Sequence, residues 1–145
     1  MTAALEEVAQ VVTQLGAGTF AGACLYIALV QHPVRRTSAV PAALVDFRET
    51  IPRAERLQAP LLVVSVLAAA VTLLLASSWT MLAGGLLLLA VLVQTVATVL
   101  PINRRLLSGS AEDHHGEGAA ALGRWGRLHA VRTVVAVAAA VLVLV

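Results

Sequence analysis

No charged residue occurs between Pro60 and Leu100. That run far exceeds the ~20 apolar residues one helix needs to cross a bilayer. Polar Ser77 and Ser78 and aromatic Trp79 divide it, which predicts spans at 60–78 and 79–100 joined as an antiparallel hairpin. Trp79 at the joint suits the water–lipid boundary, where amphipathic rings settle. Residues 8–31 form another apolar run, and at ~1.5 Å per residue they cover roughly 36 Å, enough to cross with tilt. A fourth begins near Ala121 and continues to Val145. Charged residues make up 12% of the chain, against about 25% in a soluble domain. The reading is an all-α, integral membrane four-helix bundle forming a single transmembrane domain over residues 1–145. Glu6 and Glu7 precede the first span where a signal peptide would carry basic residues, so that span is expected to be retained.

The first connection, after His32 and Pro33, is polar. Within it Val40, Leu44, Phe47, Ile51 and Ala54 recur at helical spacing, with Arg48, Glu49, Arg53 and Glu55 elsewhere around the wheel. This predicts an amphipathic helix over about 38–57, lying in the interface, capped by Thr37 or Ser38 and broken in two at Pro52. Residues 108–120 are rich in Gly and acid and read as a solvated loop. The adjacent His114 and His115 belong to that loop rather than to a metal site. All ten basic residues are Arg. Apart from Arg132, just inside the last span, they lie in the first and third connections, so the basic balance reflects topology and not nucleic-acid binding. The positive-inside rule places those connections in the cytoplasm and both termini outside. Cys24 is the only cysteine, which excludes an internal disulfide or a paired-thiol redox centre. Gly18 and Gly22, four apart, suit close helix packing, either within the chain or as a homo-oligomer face.

Candidate site residues gather at the cytoplasmic boundary. His32 closes the first span, Asn103 follows the third, and Trp125, His129 and Arg132 share one face of the fourth at i, i+4 and i+7. Tyr26 lies about 9 Å deeper than His32, and Thr98 about 7 Å deeper than Asn103. Gln94 is deeper still, where an amide needs a partner. Together these residues predict a pocket with a polar mouth and an apolar floor, suited to a lipophilic small molecule. Arg104, Arg105, Arg124 and Arg127 read as interfacial anchors. Arg132 is either functional or paired with Asp46 or Glu49, and Asn103 either caps a helix or serves the site. No metal is expected, because no paired ligand motif accompanies the histidines. A His32–His129 site for copper or haem iron is the alternative.

Three motifs occur in order: Gly-x-Phe-x-Gly-x-x-Leu-Tyr leading to His-Pro over Gly18–Pro33, Pro-x-Asn-x-x-Leu over Pro101–Leu106, and Trp-x-x-x-His-x-x-Arg over Trp125–Arg132. In this the chain resembles the anthrone oxygenase-like family of small four-helix membrane proteins, and the resemblance covers nearly the whole chain. It implies oxidation of a polycyclic anthrone or hydroquinone-type compound by molecular oxygen, without flavin or metal. In that chemistry His129 is the base, Arg132 and Asn103 stabilise the oxyanion, and His32 orients the substrate or assists proton transfer. Tyr26, Trp125, Thr98 and Gln94 would line the binding pocket. The rival readings are a non-catalytic membrane binding or assembly subunit and a metal-dependent membrane oxidase.

Overall fold

The computed structural model describes residues 2–76, 78–109 and 116–145. Among these, four rods are long and apolar enough to cross a membrane: Thr2–Thr37, Val40–Leu75, Trp79–Ser108 and Glu117–Leu144. The first joins α1 (Thr2–Tyr26) to α2 (His32–Thr37), and the second is α3 (Val40–Leu75). The third joins α4 (Trp79–Gln94) to α5 (Leu100–Ser108), and the last is α6 (Glu117–Leu144). The chain is thus the four-helix bundle its apolar runs imply. Helix α1 packs on α3 and α6, and α4 packs on the same two, so α1 and α4 stand diagonally.

Small residues set the spacing. Ala17, Ala136 and Ala139 are fully buried, and a Cβ at Gly84 would collide with Val143 and crowd the Ala139 carbonyl. In lipid, helices gain most from this close backbone approach. Gly18 and Gly22 take no part in it, since a Cβ at either meets nothing within 4 Å. The packing glycine of α1 is Gly16, set against Ser65. Hydroxyl groups inside the bundle bond back to their own helix, as Thr13 does to the Ala9 carbonyl and Thr72 to that of Ala68. This meets the requirement that polar groups in lipid find partners within the protein.

Two of the four rods contain a wide turn. Residues Ile27–Gln31 and Thr95–Val99 are π-helical, with the His32 and Leu100 amides donating to the carbonyls five residues back. The cause is covalent. Pro33 and Pro101 lack the N–H that would bond the Leu29 and Ala97 carbonyls, and their rings crowd those carbonyls. Widening the turn relieves the clash, and such bulges occur frequently at functional sites.

The expected interfacial helix over 38–57 is not a separate element. Residues 40–75 form one helix running through both Pro52 and Pro60. Its side chains before and after Pro52 are held by neighbours: Leu44, Phe47 and Ile51 are buried with Trp125, while Leu62 joins the main core. Packing of that extent offsets the ~3 kcal/mol that an internal proline costs. Thr37 and Ser38 do not cap α3 either. Their hydroxyls bond back to the Val34 carbonyl and close α2, leaving Ala39 at the start of α3. Helix α3 is roughly 54 Å long at 1.5 Å per residue. Its charged first half therefore stands beyond a ~30 Å hydrocarbon layer. At the other end Ser78 caps α4, accepting from the Met81 amide at 3.3 Å. The last helix starts at Glu117, four residues before the apolar pattern suggests, and the His114–His115 pair lies outside the described residues.

Candidate active site

The site is built around Trp125, which α6 places 1% exposed against the ends of the other rods. Apolar residues at helical spacing along α3 bring Phe47 edge-on to its ring, with centroids 5.1 Å apart. The His129 imidazole, one turn along α6, stacks on the indole at 4.8 Å and 8°. His32 meets the same indole tilted at 5.5 Å, and the Arg35 guanidinium lies 5.8 Å from the ring centre. Electrostatic attraction between a cation and an aromatic face favours this placement of Arg35.

The polar edge of Trp125 is held as firmly. Its indole N–H donates to Asn103 Oδ1 at 2.6 Å, and Asn103 Nδ2 donates to Glu55 Oε1 at 2.5 Å. Asn103 is therefore no helix cap. Its amide bridges α6 to α3, and the wide turn before α5 sets its direction. Arg132, 6% exposed, donates through Nη2 to Gln58 Oε1 at 2.9 Å and lies 3.0 Å from His129 Nδ1. It pairs with neither Asp46 nor Glu49. Asp46 is instead the partner of Arg35 Nε, at 2.5 Å, and Arg35 Nη2 bonds Thr50.

These contacts define the tautomer of His129. Its Nε2 lies 3.1 Å from the Cys24 carbonyl, which can only accept, so Nε2 carries the proton. Its Nδ1 faces a guanidinium, which can only donate, so Nδ1 is the acceptor. Both ring nitrogens are engaged, and a metal at His129 would have to displace one of these partners. No cluster of three or more His, Cys, Asp or Glu side chains suited to a metal occurs among the described residues. Four buried donor or ring nitrogens in this region lack a partner: His32 Nδ1, Arg35 Nη1, Gln58 Nε2 and Arg132 Nε.

A cavity of about 270 Å³ lies beside this cluster, walled by His32, Arg35, Arg36, Ser38, Val40, Ala43, Ala119, Leu122 and Gly123. The His32 ring packs so closely on Gly126 that any Cβ there would overlap it. Glycine at that position lets the imidazole lie flat on the α6 backbone.

Of the residues singled out from the sequence, Asn103, Trp125, His129 and Arg132 come together, with His32 on the edge of the cluster. Tyr26 does not join them. It is 56% exposed on the outer face of the bundle, because the period of α1 turns it away from Phe20 and Cys24. Thr98 bonds its own helix at the Gln94 carbonyl and lines a separate groove with Pro101 and Arg124. Gln94 donates across to the Leu128 carbonyl, tying α4 to α6. Arg35, Phe47, Glu55 and Gln58 were not anticipated. Phe47 was visible only as a core position, and the charged residues looked like a solvated face.

A buried polar and aromatic cluster at one end of four apolar helices marks a small multi-pass membrane protein with a candidate site at that end. The chain belongs to the anthrone oxygenase family, whose model matches residues 47–142. That segment carries Phe47, Asn103, Trp125, His129 and Arg132, while His32 and Arg35 precede it. No curated protein and no solved structure matches the chain.

Proposed function

We propose that the protein is a membrane-embedded oxygenase. It converts a lipophilic aromatic ketone of the anthrone type to the quinone with molecular oxygen. The observation carrying this reading is a cavity walled by His32 and Arg35, both of which also meet the Trp125 indole. The ring system lies in the apolar part of the cavity, against Val40, Ala43 and Leu122.

In the reaction a base takes a proton from the carbon opposite the ketone, and the remaining charge spreads onto the ketone oxygen. The carbanion gives its electrons to oxygen and a carbon–oxygen bond forms. Loss of water from the resulting peroxide leaves the second carbonyl. One oxygen atom ends in the quinone and the other leaves as water with the two hydrogens of that carbon.

His129 is a poor base here, because accepting a proton at Nδ1 would break its bond from Arg132 and place two cations together. We assign the base to His32, which stands at the cavity wall. Arg35, on the same wall, supplies the positive charge that stabilises the developing oxyanion. Asn103, His129 and Arg132 position Trp125. The Arg-rich connections lie on the cytoplasmic side, and substrate arrives through the bilayer.

The test is oxygen consumption by protein purified in mild detergent and supplied with anthrone, with metal content and absorption spectrum recorded together. One oxygen consumed per quinone formed is expected, with His32→Ala lowering turnover at least 100-fold and His129→Gln much less. Stoichiometric metal required for turnover would overturn the mechanism, as would full activity in His32→Ala.

A further inference from the structure

The walls of the cavity beside Trp125 differ sharply in chemistry. Val40, Ala43, Ala119, Leu122 and Gly123 form one part, and His32, Arg35, Arg36 and Ser38 the other. Among the described residues no carboxylate lines it. Asp46 is bound to Arg35 and lines the adjoining groove, which shares Arg35, Ser38 and Ala43 with this cavity. Arg35 itself is 3% exposed and keeps Nη1 without a partner, as does His32 at Nδ1. The other cation of the wall, Arg36, has no acidic partner within ion-pair distance among the described residues. Asp46 offsets Arg35, but Arg36 has no such partner among the described residues. With an imidazole and a hydroxyl beside it, Arg36 gives a wall that favours negative charge, and guanidinium groups match planar oxyanions with paired donors.

We propose that this cavity selects aromatic ligands bearing an anionic oxygen substituent, a carboxylate or an ionised phenol, and that Arg36 is the selecting cation. Rings occupy the apolar wall, and the charged substituent points to the mouth where Arg36 stands. This rests on the oxygenase reading for the identity of the ring system, and the charge preference is measured by binding alone.

The experiment is quenching of Trp125 fluorescence by anthraquinone and by anthraquinone-2-carboxylate, in the detergent-purified full chain carrying Trp79→Phe. Trp79 is the other tryptophan, and it stands at the opposite end of the bundle, so Trp125 then reports alone. The carboxylate is expected to bind at least tenfold more tightly than the neutral quinone. Arg36→Gln should lower that ratio about tenfold, Arg36→Lys by less, and Arg127→Gln, on the exposed face of α6, not at all. Equal affinity for the two probes, no binding of either, or an unchanged ratio in Arg36→Gln would overturn the proposal. Displacement of the carboxylate by phosphatidylglycerol but not phosphatidylcholine, with no preference for aromatic over aliphatic carboxylates, would also overturn it, by assigning the site to a lipid headgroup. Charge selectivity without oxygen consumption on any anthrone would leave the site standing and sink only the oxygenase reading. Turnover without selectivity would do the reverse.

Discussion

Asn103 shows how much one side chain holds in this bundle. Its carbonyl accepts from the Trp125 indole N–H and its amide donates to Glu55, so Asn103→Ala strands a buried donor on one side of the bridge and a carboxylate acceptor on the other. That loss costs about 1–3 kcal/mol. Thermal unfolding in detergent should show it, and Trp125 emission should change in the Trp79→Phe background. Asn103→Asp should be at least as harmful, because it loses the donor and sets a second carboxylate beside Glu55. Gly126 makes a second prediction. Since a Cβ there overlaps the His32 ring, Gly126→Ala should lower oxygen consumption at least tenfold while helical circular dichroism stays unchanged. At this scale the sequence was partly readable. The i, i+4, i+7 spacing of Trp125, His129 and Arg132 named a shared face, and that face is buried. Spacing along one helix could not show that His129 points both nitrogens at partners, because Cys24 lies 105 residues away.

Among the elements, the prolines behave in two ways. Pro33 and Pro101 each follow a wide π turn, while Pro52 and Pro60 sit inside an unbroken helix. The wide turn before α5 rotates Asn103 toward Trp125. Pro101→Ala restores the missing N–H donor and lets the turn tighten. The expected outcome is a melting temperature equal to or above that of the parent, with turnover at least tenfold lower because Asn103 no longer aligns. Loss of stability together with activity would show instead that the proline serves packing. The break expected at Pro52 illustrates the limit of local rules. A proline's cost is local and of known size, but the burial of Phe47 and Ile51 that offsets it depends on α6 and α5, which no window around Pro52 contains.

For the whole molecule, orientation is the property with the widest consequence. The cavity opens at the end of the bundle that carries the Arg-rich connections, so the side on which those connections lie decides where the charged mouth faces. An impermeant maleimide should label Glu7→Cys in intact cells and Ser108→Cys only after permeabilisation, with Cys24 buried and silent. The opposite pattern would reverse the topology and put the mouth outside.

Apolar length and the near absence of charge determined, by themselves, that this chain forms four helices able to cross a membrane, because a helix satisfies its own backbone in lipid. They also placed His129, Arg132, Asn103 and Trp125 near one end. Which of these groups stand free to meet a ligand was decided only in the tertiary structure. A buried polar atom is satisfied by whatever neighbour packing supplies. Here packing supplied Cys24, Glu55 and Gln58 to the expected residues and left His32 Nδ1 and Arg35 Nη1 without a partner beside the cavity.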